Sequence, residues 1–307
     1  MTVRQVIDIS PNTPYYQLNA YSIGGVMSTF LYVRGLFVGL YLMVSLVVCH
    51  VLQIISFIVY PFSPKICRTL NRYIVGVWWG LVAWSMERVI KIVIHVTGDE
   101  LPMYENAILI PNHQASADIP VLLCLALQKG MIGNLKWFVK DDLKHMPFIG
   151  WGLRLLGCPF VKRNKQDSKE NLMQLFDVYK DDAVPIWMIS FLEGTRTNAA
   201  KLAADRAKTE EDKKIPLMHH MYPKRTGFIV TVQGLRAHVS AIYDIEILYH
   251  QFKPSVGDLL NGKSRAITLH ITRTPIEEIP LDDDGIYAWV VKSFHRKDEI
   301  YTQFYHL

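Results

Sequence analysis

The chain has 307 residues, of which 50% are hydrophobic and 20% charged, so it is more apolar than an average soluble protein. Its net charge of +5, from 33 basic and 28 acidic residues, suits an anionic membrane surface or a phosphorylated ligand. An excess this small and this scattered does not indicate a nucleic-acid-binding protein. The four cysteines lack the spacing of a metal site, and we expect them to be small buried side chains in a reducing compartment.

An apolar run near the N-terminus predicts a membrane anchor. Residues 36–60 contain no Lys, Arg, Asp or Glu, and at about 1.5 Å per residue they exceed the ~30 Å hydrocarbon core of a bilayer. We therefore predict a spanning helix here, with a buried helix of a soluble protein as the alternative. A second apolar stretch, 73–86, is shorter and rich in tryptophan, which favours an interfacial or re-entrant helix. Basic residues follow the first run and favour a cytosolic C-terminal side.

From about residue 90 the sequence takes on the pattern of an α/β domain. We divide the chain into an N-terminal tail (1–35), a membrane anchor (36–88) and this domain (89–307). Short apolar runs alternate with helical stretches, which predicts an α/β fold with a mostly parallel sheet flanked by helices. Residues 198–214 are charged and predict an exposed helix or loop. The predicted strands are 91–97, 106–110, 137–139, 158–161, 186–192, 243–247 and 266–272, and the predicted helices are 120–129, 167–180 and 286–304.

The stretch PNHQASADI (111–119) directly follows one predicted strand and contains His113 and Asp118. In open α/β sheets, ligands bind beyond the carboxyl ends of the strands. An aspartate within reach of a histidine can fix the tautomer of the imidazole, and such a pair can take a proton from a hydroxyl group. A pair at this spacing is more often structural than catalytic, so the other strand ends have to support the interpretation.

Three further polar clusters follow apolar runs. A tight glycine turn with a hydroxyl and a guanidinium, as in EGTR after 186–192, suits a phosphate oxyanion. Each basic pair alone is better explained as solvated surface, but four polar clusters at the ends of apolar elements in one domain favour a common site. The residues are Glu193, Gly194, Thr195 and Arg196 of EGTR, Lys162 and Arg163 of GCPFVKRN, and Lys224 and Arg225 of PKRTGF.

Taken together and in this order, these motifs resemble the membrane-bound glycerolipid acyltransferases, in particular the 1-acylglycerol-3-phosphate and lysophospholipid acyltransferases. The resemblance covers roughly residues 75–305. Its later blocks, such as IYDIEILY at 242–249, are most similar to the lysophosphatidylinositol and lysocardiolipin branch. It implies a glycerol-3-phosphate acyltransferase-like α/β domain behind the membrane anchor. One departure is Leu192, where the family commonly has proline.

The resemblance also implies roles for individual residues. His113 would be the general base that activates the free hydroxyl of a lysophospholipid towards the thioester of acyl-CoA, and Asp118 would orient it. No metal or prosthetic group is implied, and acyl-CoA would be a co-substrate. The implied substrate-binding residues are Asn112, Arg163, Glu193, Gly194, Thr195, Arg196, Lys224 and Arg225.

Several alternatives stay open at this point. The acceptor could be lysophosphatidic acid, lysophosphatidylinositol or monolysocardiolipin, and the resemblance gives the protein no partner beyond the two substrates and the bilayer. A CoA-independent transacylase, a thioester hydrolase and a non-catalytic lipid-binding protein are further readings of the same fold. We expect an endomembrane such as the endoplasmic reticulum with a cytosolic catalytic domain, and a mitochondrial membrane as the alternative.

Overall fold

A mixed β-sheet forms the centre of the protein, for which the computed structural model describes residues 25–146, 148–161 and 165–306. The strands, in chain order, are β1 Val93–Gly98, β2 Ala107–Pro111, β3 Leu135–Trp137, β4 Val139–Lys140, β5 Phe160–Val161, β6 Trp187–Ile189, β7 Ala241–Tyr249 and β8 Ala266–Pro275. Six of them form one sheet in the order β1-β8-β7-β2-β6-β3, and β4 pairs with β5. Within the six-stranded sheet only β7 and β8 are antiparallel neighbours.

Helices cover both faces of the sheet, which confirms the predicted α/β fold. The central strands β2 and β7 are buried along their whole length, because apolar cores lie on both sides of them. One core joins Leu109 to Val121 and Trp79, and the other joins Ile108 to Phe228. The helices are α1 Gly25–Ser56, α2 Pro64–Trp84, α3 Asp118–Gln128, α4 Ile149–Leu155, α5 Lys165–Asp181, α6 Ala199–Glu211, α7 Arg225–Leu235, α8 Val256–Leu260 and α9 Asp283–His306.

Some elements differ from the sequence prediction. The strand predicted at 137–139 is divided between β3, which ends at Trp137, and β4, which begins at Val139. The strand predicted at 186–192 already ends at Ile189. The sequence analysis did not predict α7, whose residues RTGFIVTVQGL include two glycines and several β-branched residues of low helix propensity. Burial stabilises this helix, since Phe228, Val232 and Leu235 lie in the core beside α5 and α9. The charged segment 198–214 forms α6, in agreement with the helical alternative.

The apolar N-terminal region forms two long helices. Among the described residues, α1 is the one helix long and apolar enough to cross a membrane. The second apolar stretch belongs to α2, which begins at Pro64 because the Ser63 side chain accepts a hydrogen bond of 3.2 Å from the Ile66 amide. Both helices leave large apolar side chains exposed, which is typical of a surface in contact with lipid.

Both ends of α1 touch the α/β domain. Near its start, Arg34 Nη1 donates to the Val89 carbonyl at 3.2 Å, and the backbone of Gly35 packs closely on Leu260. Near its end, Gln53 Nε2 donates to the Gly152 carbonyl at 3.3 Å. These contacts are separated by about 27 Å along the helix axis. The helix therefore lies along one side of the domain and does not project away from it.

Candidate active site

The pair His113 and Asp118 lies where β2 ends and α3 begins. His113 Nδ1 is 2.8 Å from Asp118 Oδ2, so the local spacing in the sequence does bring the two side chains together. Asp118 is the first residue of α3 and Pro120 the third. A proline is tolerated in the first turn of a helix because the amides there have no helical partner. The loop between strand and helix thus folds back on itself and places the carboxylate beside the imidazole.

The Asp118 carboxylate is fully buried and accepts four hydrogen bonds. Besides His113 Nδ1, its Oδ2 accepts from the amides of Gln114 and Ala115 at 2.8 and 2.9 Å, and its Oδ1 accepts from the Tyr249 hydroxyl at 2.6 Å. Burial and the neighbouring Asp118 charge raise the pKa of Tyr249 well above its usual value, so this hydroxyl stays a donor. Because Asp118 only accepts, the Nδ1 proton stays on the neutral imidazole and Nε2 carries the free lone pair.

The imidazole of His113 is partly exposed and held between aromatic and polar neighbours. Its ring stacks on Phe191 with a centroid distance of 4.0 Å, and Phe191 in turn stacks on Trp137 at 6.2 Å. The His113 side chain remains 17% exposed. Within the described part of the chain, Nε2 makes no hydrogen bond. The ring is therefore fixed in orientation and open to a hydroxyl group on one nitrogen.

Glu193 of the EGTR turn fixes the backbone of the same loop. Its carboxylate is 2% exposed and accepts a hydrogen bond of 2.7 Å from the His113 amide. The Thr197 hydroxyl and, at 3.4 Å, the Met221 amide also donate to it. The Thr197 amide donates back to the His113 carbonyl at 2.9 Å. Glu193 therefore joins the end of β6 to the end of β2 and offers no free oxygen to a substrate.

Asn112, which the sequence analysis assigned to substrate binding, is also in the interior. It is 0% exposed, and its Nδ2 donates to Glu246 Oε1 at 2.7 Å. Its Oδ1 accepts from the Ile247 amide at 2.8 Å. Both groups of the amide are used for binding β7. Asn112 therefore holds the residue next to His113 in register with the neighbouring strand.

A buried histidine, His220, binds the same Glu246 carboxylate as Asn112 does. The sequence analysis did not identify this histidine. His220 Nε2 lies 2.9 Å from Glu246 Oε1 and its Nδ1 lies 3.0 Å from Asp298 Oδ1. Burial alone would lower the pKa of His220, but the charge of Glu246 and the hydrogen bonds to both carboxylates raise it to about 10. His220 is thus an imidazolium that shares the carboxylate of Glu246 with Asn112. The available signal was the pair of charged residues inside the apolar run of β7.

The glycine turn of EGTR carries the exposed part of the site. Gly194 has a φ of 72°, which favours glycine, and a Cβ there would lie 3.7 Å from the Lys224 side chain. The Lys201 ammonium donates to the Thr195 hydroxyl at 2.7 Å and to the Arg196 carbonyl at 3.0 Å. The turn therefore presents its backbone and the Arg196 side chain to solvent, with lysines from α6 and from the start of α7 beside it.

A cleft of about 370 Å³ opens next to the His113 loop. Its wall contains Gln114 and Ser116 of that loop and three cations, Arg196, Lys201 and Lys253. No carboxylate belongs to this wall within the described residues. We call it the cationic cleft. An anion such as a phosphate suits it, because guanidinium and ammonium groups converge on it without a neutralising acid.

The remaining basic residues predicted for the site are distributed differently. Lys224 lies beside the EGTR turn and is exposed. Arg225 is directed to the start of α9, where Nη2 binds Asp284 Oδ1 at 2.6 Å and the guanidinium lies over the Tyr287 ring at 5.1 Å. Its side chain is therefore already occupied. Arg163 and Lys162 lie outside the described residues.

Fold and site together define an α/β protein of the lipid acyltransferase class. A family model described as Acyltransferase matches residues 93–243, and one described as Acyltransferase C-terminus matches residues 258–306. The chain belongs to the glycerolipid acyltransferase family. The prediction from the ordered motifs is thereby confirmed.

Individual relatives agree with this assignment. The chain is 30% identical over 246 residues to the probable 1-acyl-sn-glycerol-3-phosphate acyltransferase 5 of Arabidopsis thaliana. This alignment covers 80% of this chain and 65% of the plant protein. It is 28% identical over 282 residues to the human 1-acyl-sn-glycerol-3-phosphate acyltransferase gamma, covering 89% of this chain and 74% of the human one. The crystal structure of the 1-acyl-sn-glycerophosphate acyltransferase PlsC from Thermotoga maritima shares the fold, with a TM-score of 0.52 and 15% identity over 90% of this chain and 96% of that chain.

Proposed function

We propose that the protein transfers the acyl chain of acyl-CoA to the free hydroxyl of 1-acylglycerol-3-phosphate. The observation that carries this proposal is the His113–Asp118 pair, in which Asp118 is fixed by four donors and His113 keeps Nε2 unbonded. The cationic cleft begins at Gln114, one residue from that base. A hydroxyl group and a phosphate of one small acceptor can therefore be bound side by side.

The proposed reaction needs one proton carrier and no covalent enzyme intermediate. His113 Nε2 takes the proton of the acceptor hydroxyl as its oxygen attacks the thioester carbonyl. The tetrahedral intermediate then collapses, the carbon–sulfur bond breaks, and the proton on His113 goes to the leaving CoA thiolate. Asp118 stabilises the imidazolium between these steps. All four cysteines are buried, which argues against a thiol nucleophile on the protein.

The cationic cleft is the proposed seat of the acceptor phosphate. Arg196 supplies a planar guanidinium that can bind two phosphate oxygens, and Lys201 and Lys253 add charge. Lys224, above Gly194, could reach the same phosphate or a phosphate of CoA. Glu193 and Asn112 act by holding the loop. Arg163 stays in the proposal on the resemblance alone.

The choice of acceptor rests on the relatives. Those described above carry the name 1-acyl-sn-glycerol-3-phosphate acyltransferase, which favours lysophosphatidic acid for this chain. Lysophosphatidylinositol and monolysocardiolipin remain the alternatives from the later sequence blocks. A phosphate monoester carries more charge on one phosphate group than the phosphodiesters of these alternatives, and a cleft with three cations suits it best.

Acyl transfer with a panel of acceptors tests this function. Membranes containing wild type, His113→Ala or His145→Ala at equal protein level would receive labelled oleoyl-CoA with each of the three lysophospholipids. His145 is an exposed histidine and serves as the matched control. We expect the fastest transfer to lysophosphatidic acid, one free CoA per product, and a loss of at least about 100-fold in His113→Ala only.

The other outcomes separate the alternatives. Release of CoA without any acceptor would indicate a thioester hydrolase. Transfer from a phospholipid donor in the absence of acyl-CoA would indicate a transacylase. Acylation of no acceptor above background would contradict the proposed function and would indicate a non-catalytic lipid-binding protein.

We further propose that α1 and α2 embed the protein in one leaflet, on the cytosolic face of an endomembrane such as the endoplasmic reticulum. The contacts at both ends of α1 support this arrangement over a spanning helix, because a helix bound at both ends to one domain cannot carry its start across the bilayer. Epitope tags on the two termini should then be accessible from the same side of sealed vesicles. Accessibility of only one tag would restore the spanning helix.

A further inference from the structure

A second cavity, of about 250 Å³, lies at the other end of β6 from the active site. Asp182 and Pro185, which line it, precede this strand, whereas Glu193 follows the strand's carboxyl end. At about 3.3 Å per residue the two regions are roughly 20 Å apart. A ligand in this cavity is therefore too far from His113 to be the acyl acceptor. We call it the basic cavity.

The basic cavity has an unbalanced charge. Lys65, Arg68, Arg72 and Lys136 line it, and Asp182 is the only carboxylate among its described lining residues. Arg68 Nε binds Asp182 at 3.0 Å and so occupies this acid, while the Lys65 ammonium lies 4.0 Å from it. Arg72 stacks over the Tyr73 ring at 5.3 Å and has no carboxylate partner within the described part of the chain. At least two cations are thus left to bind an anion.

Lys136 adds a buried charge to the wall. Its side chain enters from β3, is 3% exposed, and donates to the Leu156 carbonyl. Burial together with the charges of Arg72 and Arg68 lowers the pKa of Lys136 to about 8. An ammonium group has three protons, and one carbonyl satisfies one of them. A bound anion would compensate a charge that is otherwise costly to bury.

The position of the cavity on α2 indicates where such an anion comes from. Ile66, Leu70, Tyr73 and Val77 form an exposed apolar row along one side of this helix, with exposures of 53, 38, 65 and 67%. Three of the four basic residues of the cavity, Lys65, Arg68 and Arg72, form the adjacent row on the same helix. Apolar and basic rows side by side are typical of a helix at the membrane surface, where the basic row meets the headgroups.

We propose that the basic cavity binds the phosphate of an anionic phospholipid headgroup from the membrane that holds α1 and α2. Lys65, Arg72 and Lys136 contact the phosphate, and the lipid chains continue along the apolar row of α2. The bound lipid fastens the β3 edge of the catalytic domain to the membrane surface. This site requires membrane attachment but not the proposed acyl transfer.

Protection of Lys65 from chemical labelling tests the proposal. The full chain would be placed in nanodiscs of phosphatidylcholine, in nanodiscs that also contain phosphatidylglycerol, and in phosphatidylcholine nanodiscs with added inorganic phosphate. After brief acetylation, mass spectrometry compares Lys65, which is 62% exposed, with exposed Lys208 of the same molecule. We expect labelling of Lys65, relative to Lys208, to fall about fivefold with phosphatidylglycerol.

Two substitutions of equal charge separate a site from general attraction to an anionic surface. Arg72→Gln removes a cation from the basic cavity, whereas Arg88→Gln removes an exposed one next to the anchor but outside the cavity. The proposal requires the protection of Lys65 to persist in Arg88→Gln and to be lost in Arg72→Gln. Equal protection in both variants, or none in wild type, overturns it. Equal protection by inorganic phosphate would overturn the lipid as the source of the anion.

Discussion

The two halves of the candidate active site are built in opposite ways. Beside His113 the carboxylates of Asp118 and Glu193 are buried, and both oxygens of each accept hydrogen bonds. In the cationic cleft, Arg196 and Lys201 are exposed, and the Arg196 guanidinium binds no carboxylate within the described residues. A general base must lie within a fraction of an ångström of its productive position, whereas flexible charged side chains can adjust to bind a phosphate. The buried half should therefore control kcat, and the exposed half should control KM.

After the loss of His113 itself, the largest effect is expected for Asp118→Asn. The new amide can present an N–H to His113 Nδ1, which favours the wrong tautomer, and it satisfies fewer of the four donors. We expect kcat to fall by about 10³–10⁴-fold with KM changed only a few-fold. Tyr249→Phe removes one donor of the four and should cost about tenfold in kcat. Steady-state kinetics with lysophosphatidic acid, on protein of unchanged thermal unfolding midpoint, measure both. An unchanged kcat in Asp118→Asn would separate Asp118 from catalysis.

The opposite signature is expected in the cationic cleft. Arg196→Gln and Lys253→Gln each remove a cation from the proposed phosphate site, so each should raise KM about tenfold and leave kcat within twofold. The KM of these variants should also depend less on salt than that of the wild type. Lys208→Gln, an equal loss of charge farther along α6, is the control. A loss in kcat instead of KM would contradict the division of the site into two halves.

A smaller effect, on stability and with a defined pH dependence, is expected for His220→Gln. The folded protein holds the pKa of His220 at about 10, above the value of roughly 6.5 expected in an unfolded chain. Its stabilising contribution is then complete below about pH 6.5 and declines as the pH rises towards 10. The difference in thermal unfolding midpoint between wild type and His220→Gln should therefore be larger at about pH 6 than at about pH 9. A difference independent of pH would mean that the imidazole is neutral in the folded protein.

The smallest effect is expected for Arg225→Gln, although the sequence placed Arg225 among the substrate-binding residues. Its ion pair with Asp284 is exposed, with 46% and 86% of the two side chains accessible, and such pairs contribute little to stability. Both kcat and KM should stay within about twofold of wild type. An increase in KM as large as that of Arg196→Gln would return Arg225 to the phosphate site.

The sequence predicted the local part of the site and missed the long-range part. The contact between His113 and Asp118 follows from the turn between β2 and α3, which is encoded within nine residues. The bond of Glu193 to the His113 amide depends on β6 lying beside β2, and that of Tyr249 to Asp118 depends on β7 lying on its other side. Strand order is a property of the whole sheet, so no local pattern contains it.

The same reasoning explains why the sequence analysis expected Asn112 and Glu193 to face a substrate. Asn112 and Glu193 are polar residues at strand ends, and the sequence alone treats such positions as exposed. Their burial follows from partners on β7 and from Met221, far away along the chain. The helix α7 was missed for a related reason, since tertiary burial overrides its weak helix propensity.

The central claim is that His113 and Asp118 act as one catalytic unit, and a double-mutant cycle in kcat tests it most directly. The account predicts that His113→Ala with Asp118→Asn loses no more activity than His113→Ala alone, because without the imidazole the carboxylate has nothing to orient. If the two losses multiply instead, Asp118 contributes to the reaction independently of His113, and the proposed mechanism is wrong.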